Sequence, residues 1–142
     1  MAKTDEGCKR LLSIPGIGPK TATAFIASVG STEVFTKARQ LSAWLGVVPK
    51  QNSSGNKIRL GKISKRGDRY LRYLFIHGAR SILKNVEKKQ DPYSLWIKGL
   101  IERCGFNKTA VAVANKNVRI AWALLRNETV FDARYTEQED TE

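Results

Sequence analysis

Apolar residues recur along this chain at spacings of three and four, the mark of helices that bury one side. Leu11, Leu12 and Ile14 close a first short helical stretch. Pro15-Gly16-Ile17-Gly18 then forces a tight turn, and Pro19 suits the first position of a second helix, in which Ala22, Phe25, Ile26 and Val29 keep the helical period until Gly30 stops it. Residues 37–46 predict a short helix with Leu41, Trp44 and Leu45 inward and Gly46 at its end. The longest helix is expected over about residues 69–88, with Asp68 as its N-cap. Its core stripe is Leu71, Leu74, Phe75, Gly78, Ala79, Ile82, Leu83 and Val86, while Arg69, Arg72, His77 and Arg80 lie off it. Asp91-Pro92 starts another helix that runs to about Cys104, with Trp96 and Leu100 inward and Gly105 closing it. Asn107 is expected to cap a last helix to about Asn127, whose inward residues are Val111, Ala114, Val118, Ala121, Trp122 and Leu125.

One stretch changes period. Ile58, Leu60 and Ile63 alternate with Lys57, Arg59, Lys62 and Ser64 about Gly61, which predicts a small two-stranded ribbon, apolar on one side and basic on the other. The predicted fold class is therefore mainly α. It is one compact helical domain over residues 1–132, opening with a helix-hairpin-helix and carrying one small β-hairpin, followed by an acidic tail over 133–142 that is expected to be disordered.

At 142 residues the chain is long enough for one core without staples. Cys8 and Cys104 lie far apart with no second pair at ligand spacing, so neither zinc nor a disulfide framework is expected. Charge changes the picture more. The formal net charge is +12, and the last 15 residues hold six acids against Arg134 alone, leaving 24 cations and seven acids over residues 1–127, a charge of +17. A field of that sign draws polyanions, and nucleic acid is the first partner it points to. No apolar run approaches the length of a membrane span and no cleavable leader is visible, so the expectation is a cytoplasmic protein with no membrane partner.

Two features give the charge a shape. In PGIGPKTA, glycines permit close backbone approach, and the N–H groups opening the second helix face a phosphate that Lys20 also reaches, so Gly16, Gly18 and Lys20 are candidate nucleic-acid-binding residues. The competing reading is a compact αα turn used only for packing. Between Lys50 and Arg72 stand eight cations (Lys50, Lys57, Arg59, Lys62, Lys65, Arg66, Arg69, Arg72) against Asp68 alone. A basic ribbon entering a helix N-terminus makes a phosphate cradle, and a merely solvated charge run is the alternative. Ser53 and Ser54 head this run. A serine hydroxyl needs a base to become a nucleophile, and the sole histidine, His77, falls mid-helix, so the residues by themselves favour a turn or capping role for both serines.

PGIGPKTA, WLGVVPKQNSSG, LGKISKRGDRYLR and ANKNVRIAWALL, in that order over roughly residues 8–132, resemble the C-terminal domain of insertion-sequence transposases of the IS116/IS110/IS902 type. The resemblance implies a DNA recombinase whose serine nucleophile is Ser54, the serine before glycine, with Ser53 as the neighbouring alternative. It implies DNA as partner, a guide RNA in those members directed by one, and a homo-oligomer, a dimer or tetramer. It also implies a divalent metal, Mg, bound by acidic residues of an N-terminal resolvase-like domain. Only about ten residues precede the hairpin motif here and no acids pair as a metal clamp, so no cofactor is expected in this chain. The expectation is a fragment that binds nucleic acid and is inactive alone. The alternative is a non-catalytic helix-hairpin-helix module, and a ribosome-associated basic protein is a third reading that explains the charge but not the order of motifs.

Overall fold

The punctuating residues set the elements. A computed structural model describes residues 2–29, 37–46 and 65–132. Pro19 opens its second helix, Gly46 (φ 74°) ends its third in the left-handed region, and Asp91-Pro92 begins its fifth. Among the described residues there are six α-helices: α1 (Ala2–Leu12), α2 (Pro19–Val29), α3 (Ala38–Leu45), α4 (Lys65–Asn85), α5 (Pro92–Cys104) and α6 (Phe106–Asn127), with a 3-10 turn at Val86–Lys88 and no strand. The mainly α class is thus as predicted. The segment predicted to form a basic β-hairpin, the paired serines and the acidic tail at 133–142 lie outside the described residues.

α6 is the axis, with α1, α3, α4 and α5 packed on it. Its inward residues are Ala110, Val113, Ala114, Asn117, Val118, Ile120, Ala121 and Leu124, all buried, whereas Val111, Trp122 and Leu125 are half-buried. The predicted stripe was too narrow and partly misplaced, because a helix with neighbours on several sides buries more than one face. The core stripe of α4 is as predicted: Leu71, Leu74, Phe75, Ala79, Ile82 and Leu83 are buried, as is Val86 in the 3-10 turn that follows, and Phe75 meets Phe25 of α2 edge to face at 5.8 Å.

Three local expectations are corrected. α4 starts at Lys65, so Asp68 lies in the first turn rather than at the N-cap. An interior Gly67 costs only about 1 kcal/mol, less than the packing of a 21-residue helix returns. α6 starts at Phe106 directly from Gly105 (φ 87°), so Asn107 is inside the helix and not its cap. On α5 the buried pair is Tyr93 and Ile97, with Trp96 and Leu100 only half-buried. Tyr93 is tolerated there because its hydroxyl donates to Asn117 Oδ1. Leu12, at the end of α1, is exposed.

Candidate nucleic-acid interface

The turn between α1 and α2 is fastened from two sides. Gly16 (φ 88°) packs against α4: a Cβ there would lie 2.6 Å from Ile82 Cδ1 and 2.9 Å from the Gly78 carbonyl oxygen, and a Cβ on Gly78 would overlap the Gly16 carbonyl oxygen. Two glycines facing each other let the backbones meet. From α6, Asn117 Nδ2 donates to the Pro15 carbonyl at 3.1 Å while its Oδ1 accepts from Tyr93, so one buried amide ties the turn to α5 as well. Gly18 differs from Gly16, since a Cβ added there would meet nothing within 4 Å. Lys20, the second residue of α2, is exposed beside that open backbone. Packing therefore accounts for Gly16 by itself, while Gly18 and Lys20 stand open at the start of α2.

α4 carries the other candidates. Lys65 and Arg66 are in its first turn, and Arg69 and Arg72 follow on its exposed side. Arg72 reaches the end of α3: its Nη1 would be 3.0 Å from a Cβ on Gly46. A guanidinium at a helix C-terminus meets the negative end of the dipole. Residues 47–64, which bear Ser54, Lys57, Arg59 and Lys62, join Gly46 to Lys65 in the sequence. Those four residues lie outside the described residues. Gly78 and Arg69, nine positions apart, are half a rotation from each other on α4. The turn holding Gly16 therefore docks on the inward side, and the fold does not bring it together with Arg69.

Sequence reasoning missed two residues here. Tyr70 is 46% and Tyr73 61% exposed, and Tyr73 stacks on His77 with centroids 5.7 Å apart and planes at 14°. The signal was present in RYLRYL, residues 69–74, where a tripeptide occurs twice. Leu71 and Leu74 take the core side and leave arginine and tyrosine outside. From Arg69 to Asn85 the helix has four cations (Arg69, Arg72, Arg80, Lys84) and no acid. Lys116, by contrast, is a cation spent inside the fold: it is 5% exposed and its Nζ lies 5.1 Å from the centre of the Trp96 ring. Asp91 is structural too. Burial pushes its carboxyl up, but hydrogen bonds from Ser94 Oγ (2.7 Å) and Ser94 N (3.1 Å), with help from the charge of Lys89, outweigh burial and hold it below its ordinary value.

Residues 8–94 match the sequence family described as "Transposase IS116/IS110/IS902 family". Among curated proteins, the chain is 56% identical over 130 residues to the transposase for insertion sequence element IS1111A of Coxiella burnetii, covering 91% of this chain and 36% of that protein. It is 52% identical over 127 residues to a probable family 20 transposase of Pseudomonas aeruginosa, covering 89% of this chain and 38% of the relative. It is 40% identical over 124 residues to the putative transposase y4pF/y4sB of Sinorhizobium fredii, covering 87% and 32% respectively. The chain thus spans about a third of the length of the curated relatives it matches. No helix among the described residues is long and apolar enough to cross a membrane.

Proposed function

The chain belongs to the IS116/IS110/IS902 family of transposases, and on that premise we propose that it is the part of a transposase that holds DNA and supplies the serine nucleophile for transposition. One observation supports this reading above the rest: the family match over residues 8–94 takes in the PGIGPK turn and the whole SSG-headed basic segment. In the proposed step, Ser54 Oγ attacks the phosphorus of a DNA phosphodiester. The Oγ–P bond forms and the P–O3′ bond breaks, serine gives up its proton, and the departing O3′ takes one up as a hydroxyl, leaving a 5′-phosphoserine. Lys57, Arg59, Lys62, Lys65, Arg66, Arg69 and Arg72 neutralise phosphates around it. Gly18 and Lys20 at the start of α2, with Gly16 shaping the turn, hold a further phosphate. Among the described residues no three of His, Cys, Asp and Glu stand together to hold a metal ion, and no step here runs through one. The partners under this reading are DNA, a guide RNA in members so directed, and further copies of the protein.

The test joins this chain to the remainder of a relative and incubates the full-length protein with element DNA and any guide RNA. A detergent-resistant protein–DNA adduct is expected, lost in Ser54→Ala and kept in Ser53→Ala. An adduct surviving both substitutions overturns the serine assignment. The second reading, a non-catalytic helix-hairpin-helix binding module, rests on the open Gly18–Lys20 end of α2. It is the one left standing if binding persists and no adduct ever forms.

A further inference from the structure

The outward side of α4 has a composition that phosphate contact alone does not require. Tyr70, Tyr73 and His77 follow one another at three and four residues, which places them along one side of the helix. Arg69, Arg80 and Lys84 fall on the same arc at a helical period, and all six side chains are exposed. From Arg69 to Lys84 the arc is about 22 Å long. Solubility would be served by lysine and glutamate of mixed sign; here the acids are missing and two large rings stand in water instead. The Tyr73 ring lies parallel to the His77 ring and is still 61% exposed, so it is held flat from one side with its remaining surface open. Exposed rings, one of them held flat by its neighbour, flanked by cations on one continuous surface are what unpaired bases stack on, while the cations track the adjoining phosphates. A closed duplex offers phosphates to such a surface but keeps its base faces buried in the stack.

We propose that the α4 arc of Tyr70, Tyr73 and His77, bounded by Arg69, Arg80 and Lys84, is a stacking platform for the unpaired bases of a single nucleic-acid strand. The inference rests on the nucleic-acid-binding reading above and deepens it. It gives the domain a preference for single-stranded over duplex nucleic acid that the charge by itself does not supply.

The experiment uses the 142-residue chain and fluorescence anisotropy with a labelled 12-nucleotide oligo-dT, the matching oligo-U, and a blunt 12-base-pair duplex. The wild-type chain is expected to bind single strands more tightly than the duplex. Tyr73→Ala and Tyr70→Ala should each weaken single-strand binding about 5-fold or more, with duplex affinity changed less than about 2-fold. Tyr73→Phe, which keeps the ring, should retain the wild-type value. The slope of log affinity against log salt should be the same in all variants, because stacking releases no counterions. The dT and U arms tell whether DNA or RNA is the favoured strand. Circular dichroism checks folding, which exposed side chains leave intact. Equal losses on duplex and single strand, or no loss in Tyr70→Ala/Tyr73→Ala, would overturn the platform while leaving the electrostatic reading in place. A concentration-dependent dimer that the double substitution dissociates would show a protein interface instead. No binding to any probe would sink both readings together.

Discussion

α4 and α6 are nearly equal in length, 21 and 22 residues, and both mix apolar with basic and amide residues, yet they place their polar groups in opposite ways. On α6 three polar residues, Thr109, Lys116 and Asn117, are turned in. Asn117 joins Tyr93 to the Pro15 carbonyl, and Lys116 covers Trp96. On α4 the inward side is apolar except for the glycine that admits Gly16, and the polar side faces water. A buried polar group must find its partners inside the fold or it costs stability. An exposed one is under no such demand, so a run of arginine and tyrosine kept outside is where function is to be sought. The difference separates residues that hold the molecule together from residues that meet something else, and substitutions can test the separation.

The largest effect is expected where α4 meets the α1–α2 turn. Gly78→Ala would drive a Cβ into the Gly16 carbonyl oxygen, a backbone clash that no rotamer change relieves. We expect a loss of about 3 kcal/mol or more in urea unfolding. Gly18→Ala, where the added carbon meets nothing, should stay within about 0.5 kcal/mol. If the two variants unfold alike, the assignment of Gly16 to packing and Gly18 to the open surface fails. Next is Asn117→Ala, which leaves the Tyr93 hydroxyl without its acceptor and the Pro15 carbonyl without its donor, at a cost of about 2 kcal/mol. Its nucleic-acid affinity, measured where the variant is still folded, should be unchanged.

Asp91 comes third. Its side chain caps α5, and Asp91→Ala should cost about 1 kcal/mol. Because its folded-state carboxyl is held below the ordinary value of 3.8, its contribution is present above that value and is lost as pH falls through the lower folded one. Stability of the wild type should therefore drop between about pH 4 and the onset of acid unfolding more steeply than that of Asp91→Asn. Parallel pH profiles would show that the cap has no electrostatic part.

These expectations also mark what the sequence could and could not disclose. Pro19, Gly46, Asp91-Pro92 and Gly105 act on their immediate neighbours, so the elements they bound were readable in order. The two false caps, Asp68 and Asn107, are good capping residues that fall three and one positions past the first residue of their helices, and local preference cannot decide between nearby starts. The inward face of α6 was misread because its period is blurred by neighbours on several sides. Gly16 against Gly78 and Asn117 against Pro15, 102 residues apart, are contacts between distant segments that no local pattern announces. Of the candidate site, the exposed Arg69 and Arg72 were legible from the stripe they avoid. Ser54 was not, since no base stands near it in sequence, and the role proposed for it rests on resemblance alone.

The smallest effect on stability belongs to the outward arginines, and there the comparison is sharpest. Arg80→Ala removes a cation from an exposed arc without an acid from Arg69 to Asn85, so unfolding should shift by no more than about 0.5 kcal/mol. Arg72→Ala should cost slightly more, since its guanidinium rests at the end of α3. Both should weaken duplex binding in low salt, and each phosphate no longer neutralised should reduce the salt slope by about 0.9. The two helices then give opposite results in one pair of assays: Asn117→Ala on α6 moves the unfolding midpoint and not the slope, and a cation removed from the outer side of α4 moves the slope and hardly the midpoint. Were Arg80→Ala to leave affinity and slope untouched while Gly78→Ala abolished binding in a still folded protein, the nucleic acid would be reading the turn and not the helix.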